Sequence, residues 1–442
     1  MSLTTRANPD RIKRVSAKRA SSKPGLTKRA SAKPAPTRPA RTRPARTKPA
    51  RTNPVSNEPV SAGAKSLVTP IGVLVGLLCG IGLLMVLSSS SVQALNDSGS
   101  SWLYFQRQVL WLTIGTAALV VALRAPLRLW QRLAGPSLLL SFGLLVVVLV
   151  PGLGTSVNGS TRWIDLGPLR LQPSELAKVA LLLFGADLLA RRAALVDDPR
   201  AALVPMCVVL GGLSALVMLQ PDMGTTIVLV LIGGSLLLLA GVPWRRLLPL
   251  AGAGVAAGMV LAVSAPYRRA RVVSFLDPWA DAGNTGYQVV QSLVGMGSGQ
   301  LTGVGLGASR AKWGFLPNAH TDFIFAIIGE ELGLLGSLCV IALFAALALM
   351  GARVAVAAED RFGALVAGGA TAWIAGQALV NMGAVVGLVP VTGVPLPFVS
   401  AGGSALVANL FVAGLLLRVA RTPKTPAQTQ RTRLARRRVT AP

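Results

Sequence analysis

The chain has 442 residues, 52% of them hydrophobic and only 14% charged, with a mean hydropathy of +0.59. Its apolar residues lie in long runs such as PIGVLVGLLCGIGLLMVL (70–87) and TTIVLVLIGGSLLLLAGV (225–242), close to the ~20 residues that cross a bilayer core, and this excludes an ordinary soluble domain. The formal charge of +28 sits at the ends: residues 1–65 hold 17 Lys and Arg and residues 418–442 hold 8, against Asp10 and Glu58 alone, so the middle is nearly balanced.

Residues 1–65 are rich in Pro, Ala, Ser and Arg and contain the near-repeat TRPARTRPARTKPARTNP (37–54). Such a segment cannot fill a core, and we expect a disordered basic tail with polyproline-like local structure. It contains no aromatic residue, so no nucleic acid is expected. Anionic membrane lipid is the expected contact of this tail and of the basic tail 421–442. The first apolar run starts too late, and lacks the cleavage context, for a removable signal peptide; we take it as a retained span. Cys79, Cys207 and Cys339 all fall in apolar windows without a CxxC spacing, which predicts packing thiols.

Ten spans follow, near 67–87, 108–124, 137–153, 175–190, 201–219, 225–241, 247–264, 322–350, 362–387 and 402–420. The expected fold is an all-α polytopic membrane protein, with membrane domain 66–420 and a large loop, 265–321, between helices 7 and 8. With the N-terminal tail inside the cell, the loops bearing Arg124, Arg128 and Arg132, then Arg191, Arg192 and Arg200, then Arg245 and Arg246, then Arg353 and Arg361 are cytoplasmic, as is the C-terminus. Loops 88–107, 151–174, 265–321 and 388–401 then face outward, and they carry most of the unexplained polar residues.

In NGSTRWIDLGPLRLQPSELAK (158–178), Arg162 and Arg170 lie on the side that the positive-inside rule depletes of cations. Ser174 is a candidate helix cap. Glu175 and Lys178, three apart, share one face of the next helix, as a self-neutralising pair or as part of a functional site. GVGLGAS (303–309) lacks the strand and the GK[ST] of a phosphate loop, so its glycines serve tight turns and close backbone approach. The only histidine, His320, precedes Asp322 in AHTDF; one histidine builds no zinc site, and no Ser/His/Asp hydrolase context exists. Glu330 and Glu331 are costly inside a span unless paired or facing a cavity.

FLDPWADAGNTGYQ (275–288) places Asp277 and Asp281 in one turn-rich loop with Arg268, Arg269, Arg271, Arg310 and Lys312. Asp277, before Pro278, reads as a turn former. Asp281 is either a solvated turn residue or a base working beside cations that hold a leaving phosphate.

Together with QPDMGTT (220–226), GYQVVQSL, LPNAHTDFIFAIIGEELG and LPFVSAGGS, these segments resemble the SEDS family (shape, elongation, division, sporulation), the FtsW/RodA polytopic proteins, over residues 67–420. The pattern is closer to the division branch than to the elongation branch. The resemblance implies a peptidoglycan glycosyltransferase that polymerises lipid II at the outer face of the bacterial cytoplasmic membrane, at the division septum. It also implies a class B penicillin-binding protein (FtsI type) and other divisome proteins as partners. Asp281 then matches the family's acidic residue of the large loop, with the role of general base on the acceptor hydroxyl. Arg162, Arg170, Glu175 and Lys178 match its polar cluster, and His320, Asp322 and Ser400 join them as candidate substrate-binding residues. Mg2+ or another divalent cation is the expected inorganic cofactor, with no organic one. Ala401 departs from the family, which commonly carries Tyr there. The alternatives weighed are a lipid II flippase, whose essential charges would run through the membrane, an elongation-type polymerase, and a non-catalytic division scaffold.

Overall fold

The computed structural model describes residues 66–422 apart from 158–159, 168, 197, 264–268 and 270–273. The expectations for the tail 1–65, for nearly all of 421–442, and for Arg268 and Arg271 lie outside the described residues. Among the described residues, ten long helices lie at the ten expected spans: α1 (Val68–Ser98), α2 (Leu103–Arg124), α3 (Leu127–Leu149), α4 (Pro173–Arg191), α5 (Leu203–Leu219), α6 (Met223–Ala240), α7 (Trp244–Val263), α9 (Ile324–Ala357), α10 (Arg361–Val385) and α11 (Gly403–Arg421). Among the described residues, seven of these (α1, α2, α3, α6, α9, α10 and α11) are long and apolar enough to cross a membrane. α5 is apolar but has 17 residues, and α4 carries Glu175, Lys178, Asp187 and Arg191. The chain is a multi-pass membrane protein.

Two additions qualify the all-α expectation. The connection between α3 and α4 folds as a small antiparallel sheet of β1 (Thr155–Val157), β2 (Ser160–Leu166) and β3 (Leu169–Leu171), in the order β1-β2-β3. The large loop contains its own helix, α8 (Tyr287–Ser298), which packs on α9 and α10.

α1 runs eleven residues beyond its expected end at 87, so the connection to α2 is only residues 99–102. Hydropathy counts the run Ser88–Ser91 as an end, but three of these hydroxyls find acceptors inside the protein: Ser91 donates to the Ser88 carbonyl at 3.0 Å. Ser90 donates to the Val86 carbonyl at 2.5 Å, and Ser88 donates to the Glu331 carboxylate on α9. Ser174 is also not the cap of α4. Pro173 occupies the first helical position, which suits its missing N–H, and the N-cap is Gln172, two residues before Ser174.

The core runs through α4, α10, α11 and the first turns of α9, where Leu181, Trp373 and Val412 are fully buried. Small residues set the closest crossings: a Cβ at Gly414 would overlap the Leu119 carbonyl, so α2 and α11 approach backbone to backbone. Large apolar side chains such as Leu139 and Val356 face outward.

Hydrogen bonds between connections sort the loops to two ends. At one end, Arg162 reaches Gln220, Gln377 reaches Pro395, and Ser400 reaches Thr321. At the other, Arg361 reaches Ala240 and Gln131 reaches Asp187, and the clustered arginines of 124–132, 191–200, 245–246 and 353–361 gather there.

α9 is two helices joined at Gly333, whose backbone (φ 68, ψ −164) is open only to glycine. The break frees carbonyls and amides within a bilayer span, where each unmet group costs several kcal/mol. Residues 300–305 fill the gap: Val304 and Gly305 donate to the carbonyls of Glu330 and Glu331 at 3.0 and 3.1 Å. Leu334 and Leu335 donate to the carbonyls of Gln300 and Leu301 at 2.9 and 3.1 Å. The close approach requires Gly303, at φ 82, because a Cβ there would overlap the Glu331 carbonyl.

A left-handed non-glycine residue costs ~1–2 kcal/mol before any clash. Gly303→Ala is therefore expected to lower the thermal unfolding midpoint in detergent more than Gly307→Ala, which has a similar φ of 81 but open space around it. Equal losses at the two positions would show that the contact with Glu331 contributes nothing.

Candidate active site

The loop that carries Asp281 is built from two side-chain-capped turns. Asp277 Oδ1 accepts from the amides of Trp279 and Ala280, both at 3.1 Å, so this carboxylate is a turn former. Asp281 Oδ2 accepts from the Thr285 hydroxyl at 2.8 Å and from its amide at 3.1 Å. The Asp281 carbonyl accepts from Asn284 and Gly286. A Cβ at Gly286 would overlap the Pro278 carbonyl, so glycine lets the turn close before α8 begins at Tyr287.

Thr285 is also what tunes Asp281. Its hydroxyl first, and its amide second, hold the Asp281 carboxyl below the ordinary carboxylate range, with a smaller contribution from Asn284. Among the described residues no cation is a cause. Lys312 is turned into the protein, donating to the Gly307 carbonyl and lying 3.9 Å from Glu331, while the Arg310 amide serves Glu330. Arg269 is exposed.

The polar cluster is a separate assembly. Glu175 and Lys178 form an ion pair at 2.8 Å, with side chains only 5% and 1% exposed. Lys178 Nζ also donates to Gln377 Oε1 at 3.3 Å and lies 5.1 Å from the centre of the Trp373 ring. Trp373 Nε1 donates to the same Gln377 oxygen at 2.8 Å, and Gln377 Nε2 donates to the Pro395 carbonyl. The pair is thereby tied to the segment before α11.

Arg162, on β2, bridges to the start of α6. It donates to the carbonyls of Gln220 and Pro221 and stands 3.6 Å from Asp222. Asp222 caps α6 by accepting from the Thr225 amide and hydroxyl, and it also accepts from Gln172. Arg170 is elsewhere: it pairs with Asp165 across the β2–β3 hairpin at 3.0 Å, with both side chains largely exposed.

His320 is buried against Tyr104, ring centres 4.9 Å apart, and its carbonyl accepts from Ala401. Asp322 is half-buried, and its carbonyl accepts from Asn381. Ser400 donates its hydroxyl to the Thr321 carbonyl at 2.5 Å while accepting from the Leu396 amide at 2.8 Å. Ser400 therefore holds two loops together and has no hydroxyl proton left for a ligand.

Behind this end lies a buried carboxylate lock. Glu330 accepts from the Ser309 hydroxyl at 2.5 Å and the Arg310 amide at 2.8 Å, and Glu331 accepts from Ser88 at 2.6 Å and faces Lys312. The donor set does not fit a protein-held divalent cation: among the described residues no three His, Cys, Asp or Glu side chains come together.

The "Cell cycle protein" family of FtsW, RodA and SpoVE matches residues 70–425. That span is most of the chain. This protein belongs to the FtsW/RodA/SpoVE family. It is 43% identical over 345 residues to the probable peptidoglycan glycosyltransferase FtsW of Mycobacterium tuberculosis, covering 78% of this chain and 66%, just under two thirds, of that protein. With the protein of the same name from Pseudomonas fluorescens it shares 42% identity, covering 77% of this chain and 85% of the other. Among solved structures, a peptidoglycan synthase complex showing coordinated polymerization and crosslinking aligns with a TM-score of 0.67 at 29% identity, covering 80% of this chain and 97% of that one. The rod shape determining protein RodA of Thermus thermophilus aligns at 0.59 and 27% identity, covering 80% and 97%.

Within this family member, sequence inspection missed Asp222, Gln377 and Ser88. Asp222 had a legible signal, an aspartate three residues before a threonine at a helix start. Gln377 stood out only as a lone amide in an apolar helix, and nothing in the sequence pairs Ser88 with Glu331, 243 residues away.

Removing one member of a buried ion pair costs ~3–5 kcal/mol, because the other charge is left unpaired. Lys178→Met should destabilise the detergent-solubilised protein by that order, and Glu175→Gln added to it should restore part of the loss. A single variant as stable as the native protein would show that the pair does not hold α4 to α10.

Proposed function

We propose that this chain is a peptidoglycan glycosyltransferase of the division type, polymerising lipid II into glycan strands with Asp281 as general base. The observation that carries the reading is an ionised carboxylate, preset by Thr285, on an accessible turn at the end of the bundle where the polar side chains collect. Similarity to proteins named peptidoglycan glycosyltransferase supports it.

In this reading the acceptor sugar's 4-hydroxyl gives its proton to Asp281. Its oxygen bonds to the donor's anomeric carbon, and the bond from that carbon to the polyprenyl pyrophosphate breaks, the electron pair leaving with the pyrophosphate. A carboxylate held below its usual range is charged but a weak base. Substrate covering the turn strips water from it and raises its proton affinity as transfer begins. Arg269 and Arg310 are exposed cations of the large loop available to the leaving group, with Arg170 exposed beside Asp165, while Arg162, Glu175 and Lys178 fix the frame beneath the sugars, and His320, Asp322 and Ser400 position the adjoining loops.

The catalytic unit is residues 66–420. The basic end is cytoplasmic by the positive-inside rule, which puts loop 265–321 outside and the tails 1–65 and 421–442 inside against anionic lipid. The working protein sits at the septum with a class B penicillin-binding protein of the FtsI type and other divisome proteins. The alignment with a peptidoglycan synthase complex supports the first of these partners.

Purified protein with its cognate penicillin-binding protein should form glycan strands from lipid II, and Asp281→Asn, folded and expressed to the same level, should form none. Equal polymer from both would remove Asp281 from the mechanism. Transbilayer movement of lipid II without polymer from either would make the protein a transporter.

Thr285→Val removes the hydroxyl donor that contributes most to the lowered Asp281 value, so the carboxyl's affinity for protons rises. The acid limb of the pH–rate profile should move to higher pH. An unmoved limb would show that the rate does not report on Asp281.

A further inference from the structure

A crevice of about 270 Å³ lies at the basic end of the bundle, between the first turns of α3 and the last turns of α4. It lies toward the opposite end of α4 from Glu175 and Lys178. Three guanidiniums line it, Arg132, Arg191 and Arg192, against the single carboxylate of Asp187. Asp187 is already committed: its Oδ1 accepts from Gln131 Nε2 and from Arg191 Nε, both at 2.8 Å, and so aims the arginine while using only its Nε. Arg192 is held by the Ala201 carbonyl through Nη1 at 2.6 Å. The crevice therefore keeps an excess of positive charge with donors to spare, the arrangement that suits a phosphate group.

Its other wall is apolar, from Pro136, Phe184 and Leu188, and Gly135 contributes no side chain. Above it, α3 presents Leu139 and Leu140, 76% and 56% exposed, to the surroundings of the bundle. The charged socket is thus followed along α3 by exposed apolar side chains, as the phosphate of a membrane lipid is followed by its acyl chains. The volume is below the ~300–1,000 Å³ of pockets that enclose whole organic ligands, so it takes a head and leaves the tails outside.

We propose that the α3–α4 crevice is a binding site for the headgroup of an anionic phospholipid, with Arg132, Arg191 and Arg192 on the phosphate and the acyl chains along α3. Basic pockets between membrane helices hold anionic lipid in this manner. The assignment is independent of the polymerase reading and of which face carries catalysis.

The test is native mass spectrometry of the full chain released from bilayers of phosphatidylglycerol and phosphatidylcholine, so that the basic tail is the same in every sample. The native protein should retain phosphatidylglycerol selectively. Each basic residue near the surface contributes on the order of 1 kcal/mol, so Arg132→Gln with Arg191→Gln should reduce that retention about 25-fold. Gly135→Leu supplies a second arm that leaves every charge in place. An added Cβ at Gly135 meets nothing within 4 Å, so this variant should fold, plug the crevice and also lose the lipid. Retention unchanged in both variants would overturn the site. Thermal stabilisation of the native protein by inorganic phosphate as large as that by phosphatidylglycerol would overturn the lipid assignment in favour of a free anion.

Discussion

A helix broken inside a bilayer must have its freed backbone groups met by protein, and the break in α9 at Gly333 is met by the chain segment 300–305. Much of the loop-bearing end follows from that exchange. The same segment brings Ser309, Arg310 and Lys312 over the carboxylates of Glu330 and Glu331, which are 2% and 0% exposed. Ser88 of α1, just past that helix's apolar run, closes the set. Two acidic residues that look misplaced in a membrane span are therefore the anchor of the large loop.

The two ends of the bundle use charge differently. At the loop-bearing end, four cations each stand beside one acid: Lys178 by Glu175, Lys312 by Glu331, Arg162 beside Asp222, Arg170 by Asp165. Asp281 stands out there because its hydrogen bonds come from its own turn, so its charge is preset without a fixed cation. At the other end arginines outnumber acids, and the α3–α4 crevice concentrates three of them around one committed aspartate. One end is arranged to present a carboxylate, the other to receive an anion.

Several side chains changed meaning once the fold was in view. Ser400 carries the right chemistry for a ligand contact, but both its donor and an acceptor lone pair are used in holding residues 321 and 396. Arg170 resembles Arg162 in sequence, yet hairpin register pairs it with Asp165 at the surface while Arg162 turns onto the cap of α6. The glycines of GVGLGAS do serve close backbone approach, and their partner is the kink in α9.

The sequence by itself determined the polytopic helical class, the places of ten long helices, the gathering of basic loops at one end and the family, because hydrophobic run length, charge counts and ordered motifs are local properties of the chain. It also determined that Asp277 and Asp281 lie in turns, since proline, glycine and side-chain caps act within a few residues. Tertiary structure alone decided which buried charges neutralise each other, that a span could break at Gly333, and that a crevice opens between α3 and α4. Those outcomes depend on contacts between residues tens to hundreds of positions apart, and no local pattern encodes which distant partner will meet a desolvated charge or a freed backbone group.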